Sequence, residues 1–167
     1  QHNPSVIAFD IVFSERDKQN PTDLLLQLQK ESDQHINVEV LDTNQIFVDS
    51  LNKSKVILPV LGEPNDNFVK NNSKPKVRII AKGDDPKNFI YKYKNKIISL
   101  EEINKAVSGI GSISLIPNID GIIRNIPVLY DIDGKIWPSL AVEAVRVASG
   151  KKNLLIQSDK SGIKLIK

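Results

Sequence analysis

Ser5-Val6-Ile7-Ala8-Phe9-Asp10-Ile11-Val12-Phe13 is apolar, and largely β-branched or aromatic, at almost every position. That composition suits a strand covered on both faces, as in an α/β sheet, better than a half-solvated strand, which alternates. Asp10 interrupts the run, and Ser14 to Pro21 reads as a polar exit loop. Asn20-Pro21-Thr22 then introduces a leucine-rich helix over 23–30, with Asn20 or Thr22 near its cap. Asp42 or Thr43 can cap a second helix, whose apolar face is Phe47, Val48 and Leu51 at helical spacing. Lys55-Val56-Ile57-Leu58-Pro59-Val60 reads as a second buried strand, with Pro59 near its end.

Beyond it, Gly62 to Lys76 is the longest turn-rich stretch, followed by short strands over 77–81 and 89–93. Ser99-Leu100-Glu101-Glu102 has the form of a capping box, with Ser99 as cap and Glu102 reaching back. Gly109 supplies the left-handed end of that helix. Ile110–Ile116 reads as a strand, Asn118 to Gly121 as a turn into a strand over 122–131, and Asp133-Gly134 as a further turn. Pro138 occupies a first-turn position before an apolar helix of Leu140, Val142, Ala144, Val145 and Ala148 that Gly150 ends. A hairpin around 159–162 closes the chain. The order predicts an α/β fold, a mixed β-sheet with helices packed on its faces, in a single domain over 1–167. A chain of 167 residues is long enough to bury a substantial core.

The longest apolar runs fall far short of the roughly 20 residues that span a bilayer. The chain starts at Gln1, contains no Met and shows no leader, so it reads as a segment of a longer protein whose flanks hold membrane helices. Zero cysteines exclude disulfides and thiolate metal sites. Charge is uneven. Residues 70–96 carry nine basic and two acidic side chains, interleaved with Phe89, Tyr91 and Tyr93, and residues 151–167 carry five basic and one acidic. Basic plus aromatic is a nucleic-acid signal. The segment has neither a groove-reading helix nor an RNP-like motif, so it is read as a solvated loop and edge hairpin whose lysines block strand pairing. No nucleic-acid partner is expected.

Catalytic chemistry finds little to work with. His2 lies at a chain end and His35 in a polar loop, so neither serves as a base for a serine nucleophile. Gly111-Ser112-Ile113 lacks the second glycine of a nucleophile elbow. Gly109-Ile110-Gly111 precedes a strand instead of following one, so it reads as a helix terminus and turn, and not as a dinucleotide fingerprint. Asp10, Glu15 and Asp17 gather at the end of the first strand, where open α/β sheets place ligands. They are the candidate ligand-binding residues, set against a favoured reading in which Asp10 accepts backbone N–H bonds and tethers a loop while Glu15 and Asp17 stand in water. As an alternative they are read as oxygen ligands for Mg²⁺ or Ca²⁺ in a metal-dependent hydrolase or phosphotransfer enzyme. No catalytic residue, metal ligand or cofactor is expected on the favoured reading. Arg124 is placed to pair with Asp120 across the Asp120-Gly121 turn.

Three pieces together resemble the second type of the cyclases/histidine kinases associated sensory extracellular domain, the CHASE family. They are Val6 to Glu15 with Asp17 just after; Ser54 to Val60 behind a helix; and Pro117 to Val128, followed by Pro138 to Ala144. The motif residues within them are Asp10, Phe13, Asp120, Gly121, Arg124, Pro127, Pro138 and Ser139, read as structural. The resemblance covers 5–150. It departs at Arg124-Asn125, where the family doubles a basic residue, and over 70–96, which has no family pattern. It implies a sensor domain outside the cytoplasmic membrane of bacteria, flanked by membrane helices. Outputs in such proteins are adenylate or guanylate cyclases, histidine kinases, Ser/Thr kinases or diguanylate cyclases. The expected partner is an unidentified small-molecule or protein ligand, with a homodimer as the form that transmits the signal.

Overall fold

The computed structural model describes residues 3–32, 40–65 and 72–167. Its centre is β2 (Val56–Glu63), buried along nearly all its length. The parallel strand β6 (Gly109–Ser112) runs along one side, from Ile57 opposite Gly109 to Val60 opposite Ser112. Two strands lie end to end along the other side. These are β1 (Ile7–Ala8), parallel, and β5 (Asn95–Ile98), antiparallel. Pro59 explains the join. Val56 and Val60 offer their carbonyls to the β6 side, to Ser108 and Ile113, while Ile57 offers its carbonyl to Phe9 on the β1 side. By alternation the missing N–H of Pro59 falls on the β1 side, just where β1 departs and before β5 begins. A proline in a central strand is tolerated here because the ladder changes partner at that point.

The opening strand is therefore shorter and less covered than expected. Only Ile7–Ala8 pair, and Ile11 is 57% exposed. Phe9 and Phe13 turn inward instead, edge to face with each other at 6.1 Å, and Phe13 meets Phe47 at 5.0 Å. Two three-stranded sheets complete the fold. In one, the hairpin of β9 (Asn153–Asp159) and β10 (Gly162–Ile166) is joined by β3 (Arg78–Gly83), parallel to β9. In the other, the hairpin of β7 (Leu129–Ile132) and β8 (Lys135–Pro138) is joined by β4 (Tyr91–Tyr93), parallel to β7. A bridge between Ser112 and Ser139 ties this third sheet to the first. The mixed α/β class stands, with its strands in three sheets. The basic segment is not a hairpin: β3 and β4 join different sheets, and the Lys96 side chain, only 1% exposed, pairs with Asp133 at 2.9 Å.

Helix starts follow local chemistry. Pro21 opens α1 (Pro21–Ser32), and Asn20 accepts the Thr22 N–H at 3.1 Å. Asp42 caps α2 (Thr43–Asn52) through Asn44 and Gln45, and the Asn20 amide donates to it at 2.8 Å, so the two caps are linked. Leu51 is buried, and Phe47 and Val48 pack on the core beside it. The capping box at Ser99 does not form. The helix α3 (Glu101–Ala106) begins after Leu100, the Ser99 hydroxyl accepts the Phe13 N–H at 3.0 Å, and Glu102 faces Arg16. Ile122–Asp131 is a strand only from Leu129, and Ile110–Ile116 only to Ser112. Asp133 and Gly134, at φ of 53° and 69°, make the expected tight turn.

The helix α4 (Leu140–Ala148) departs most from its sequence pattern. Ser139, not Pro138, sets its start, its hydroxyl accepting the Val142 N–H at 3.3 Å. Pro138 ends β8. The face turned inward carries Glu143, Arg146 and Val147, while Val145 is 68% exposed. Glu143 is fully buried and takes both of its oxygens to Arg146, at 2.7 Å from Nε and 2.6 Å from Nη2. Such a two-pronged pair satisfies a buried carboxylate that would otherwise be prohibitively placed. Below it lie Gly109 and Gly111, buried in β6. A Cβ on Gly111 would sit 2.6 Å from Leu140 Cα and 2.9 Å from Ser139 O, and one on Gly109 2.5 Å from Glu143 Oε1. These glycines neither end a helix nor make a phosphate turn; they let α4 rest on the sheet backbone.

Two outcomes follow. Gly111→Ala, which meets backbone and not a flexible side chain, is expected to lower stability by about 1–3 kcal/mol or more, read by urea denaturation. Arg146→Met, which strands the Glu143 charge, is expected to cost about 3–5 kcal/mol, with most of it restored by adding Glu143→Leu. Equal losses in the single and double variants would show that the stranded Glu143 charge is not what Arg146→Met loses.

Candidate functional site

The acidic candidates at the start of the chain are only partly brought together. Glu15 and Asp17 line a cleft of about 280 Å³ floored by Phe13, Phe47 and Ile103 and walled by Thr43 and Asn44. Asp10 is exposed on the chain before it and does not line it. The Asp17 carboxylate is occupied: one oxygen accepts the Gln19 N–H at 2.9 Å and the other the Thr43 hydroxyl at 3.1 Å, while its own N–H donates to Asn44. It tethers the exit loop to the start of α2. Glu15 faces Lys18 at 3.2 Å in water. Among the described residues no three His, Cys, Asp or Glu side chains gather where they could hold a metal ion. The arrangement offers an aromatic floor beside carboxylates that already have partners, with Asn44 Nδ2 buried next to it and lacking an acceptor. His2 and His35 lie outside the described residues, as does the beginning of the basic segment.

The most specific sequence motif builds a surface feature. Between β6 and β7 the chain folds back at Asn118–Gly121, where the Gly121 N–H reaches the Asn118 carbonyl at 2.8 Å and Gly121 takes φ 77°. Asp120 holds this turn from two sides, accepting the Ile122 N–H at 3.1 Å and both prongs of Arg124, at 3.0 and 2.7 Å. The Arg124 guanidinium, followed by that N–H, keeps the Asp120 carboxyl below its ordinary range. The consequence is display. Ile119, Ile122, Ile123 and Ile126 stand exposed on a loop whose turn is fixed by charge. Pro127 is half-buried, and the Val128 carbonyl accepts the N–H of Ser139, the cap of α4.

Behind the loop lies a polar seam that sequence inspection missed. The Ser112 hydroxyl donates to the Ser114 hydroxyl at 3.0 Å, which also accepts the Gly62 N–H at 2.7 Å, and the Tyr130 hydroxyl donates to the Ser114 carbonyl. Ser112 is thus a buried structural hydroxyl. Burial pushes the Tyr130 phenol up to about 12, with the neighbouring Tyr93 adding to the shift, and burial raises Tyr93 as well. The alternation of serines in Gly111-Ser112-Ile113-Ser114 was the available signal, but alternating serines say nothing of what they face.

A raised phenol pKa favours the protonated, folded form. Its stabilisation is intact below the unfolded value of about 10 and is lost as pH climbs toward about 12. Tyr130→Phe is therefore expected to flatten the alkaline limb of a stability–pH curve measured from pH 8 to 12. An unchanged limb would place the alkaline loss elsewhere.

A family model described as the CHASE2 domain matches residues 1–166 of the chain. CHASE2 domains are sensory extracellular domains of signalling proteins, which places the domain outside the cytoplasm. No curated protein and no solved structure matches the chain.

Proposed function

Since the chain belongs to the CHASE2 domain family, we propose that it is the ligand-input domain of a bacterial transmembrane signalling protein. The output is a cytoplasmic adenylate or guanylate cyclase, histidine kinase, Ser/Thr kinase or diguanylate cyclase, and the domain itself performs no chemistry. No described helix is long and apolar enough to cross a membrane, so attachment is assigned to flanking segments. The observation that carries the reading is the family match over nearly the whole chain.

Signalling of this kind needs a ligand that binds one arrangement of the domain better than another; equal affinity for both moves nothing. A homodimer is the natural unit, because a change of packing between two copies can displace the membrane helices attached to them. The loop of residues 115–128, rigid at its turn and apolar at its surface, supplies a face that a partner would dry. The Glu15–Asp17 cleft, with Asn44 Nδ2 unpartnered beside it, supports recognition of a small molecule that offers a hydrogen-bond acceptor.

The 167-residue chain has no cysteine, so one introduced here reports where the domain stands, with the unaltered parent as the background control. Ser161→Cys, on the exposed turn between β9 and β10, placed in the full-length parent, is expected to react with a membrane-impermeant maleimide on spheroplasts. Reaction only after lysis would put the domain in the cytoplasm and end the proposal.

A further inference from the structure

A groove of about 470 Å³ runs between α4 and the open end of the β9–β10 hairpin, and shares no lining residue with the acidic cleft. Its volume lies within the range of small-molecule sites, roughly 300–1,000 Å³. Its lining joins two kinds of chemistry. Its apolar walls are Val128, Ala141, Val142 and Val145 with Leu154 and Ile166. Toward the end of α4 the lining becomes Arg146, Ser149, Lys151, Asn153 and Lys167. Hydrogen bonds between Leu155 and Lys167, in both directions at 2.9 Å, hold Lys167 at the same end of the hairpin as Asn153.

No carboxylate side chain lines the groove. Glu143, the nearest acid along α4, is buried and neutralised by Arg146. Lys151 and Lys167 have no ion-pair partner among the described residues. The carbonyls that end α4, which would repel an anion, are already capped. Val145 O accepts from Ser149 N–H, Arg146 O from Lys151 and Val147 O from Gly150. An apolar trough thus leads to a cationic mouth with hydroxyl and amide donors, while Val145 spends 68% of its surface in water for no gain in folding.

We propose that this groove binds a single-chain anionic amphiphile, a free long-chain carboxylate, with its alkyl chain along Val142, Val145 and Leu154 and its head at Lys151 and Lys167. It rests on the sensor reading in naming the class of ligand the domain receives.

The test uses the 167-residue chain with the α-carboxyl of Lys167 blocked as an amide, so that no terminal charge lies at the head-group end, and dodecanoate below its micelle concentration, followed by calorimetry. Saturable one-to-one binding is expected, at least tenfold tighter than for dodecyltrimethylammonium, which has the same tail and the opposite head. Val145→Asp, a surface change on the groove wall, is expected to abolish it. Lys151→Glu with Lys167→Glu is expected to weaken dodecanoate at least tenfold while leaving dodecanol unchanged, and added salt to narrow that difference. Equal binding of both head charges, binding only to anionic vesicles, or self-association that Val145→Asp removes would each overturn the proposal. Failure here with periplasmic labelling intact sinks the groove and leaves the sensor reading. Binding by a domain labelled only after lysis does the reverse.

Discussion

The close approach of α4 to the backbone of β6 constrains everything around it. Gly109 and Gly111 leave no side chain between helix and sheet, so the helix lies low enough for Glu143 to descend into the interior, and Arg146 must follow to satisfy it. Arg146 then reaches the Lys151 carbonyl and holds the chain leaving the helix, which fixes where β9 begins. At the other end of α4, Ser139 bridges to Ser112, caps the helix and holds Val128. A single packing contact therefore positions the third sheet, the hairpin sheet and the exposed loop.

Much of this order was readable from residue types whose physical demands are local. Asp42 ahead of Phe47, Val48 and Leu51 announces a capped amphipathic helix, and Asp133-Gly134 announces a turn needing positive φ. The closing hairpin around 159–162 was equally plain. What stayed hidden depended on distant partners. Ser99-Leu100-Glu101-Glu102 has every local attribute of a capping box, but Phe13, 86 residues away, takes the Ser99 hydroxyl. The run Ser5–Phe13 looked buried on both faces because its pattern is apolar, and nothing local reveals that Pro59 would end the ladder after two residues. For α4, apolar residues surround the helix, so periodicity could not choose a face; the pair Glu143 and Arg146, three residues apart, held the answer, and it reads equally well as a surface ion pair.

Among the candidate site residues the motif was better resolved than its role. Asp120 and Arg124 pair as their spacing suggests, while Asp10, Glu15 and Asp17 are near in sequence without forming one cluster. Asp17 does the tethering that a lone strand-end carboxylate often does, and its acceptors are filled by Gln19 and Thr43. Sequence proximity counts carboxylates but does not show which of their lone pairs are already taken.

The rigid and the open parts of the molecule meet at Val128. Its carbonyl is held by Ser139 at the start of α4, it lines the groove, and the preceding residues are the isoleucine-rich loop. A molecule lying in the groove would press on the one residue that also anchors the displayed loop, and through Ser139 on the helix that rests on β6. Interiors this tightly packed do not deform continuously; they shift between discrete arrangements. A small occupant at the α4 groove can therefore change the face the loop presents only by moving α4 and the loop together, and the glycine contact beneath the helix sets how far that movement can go.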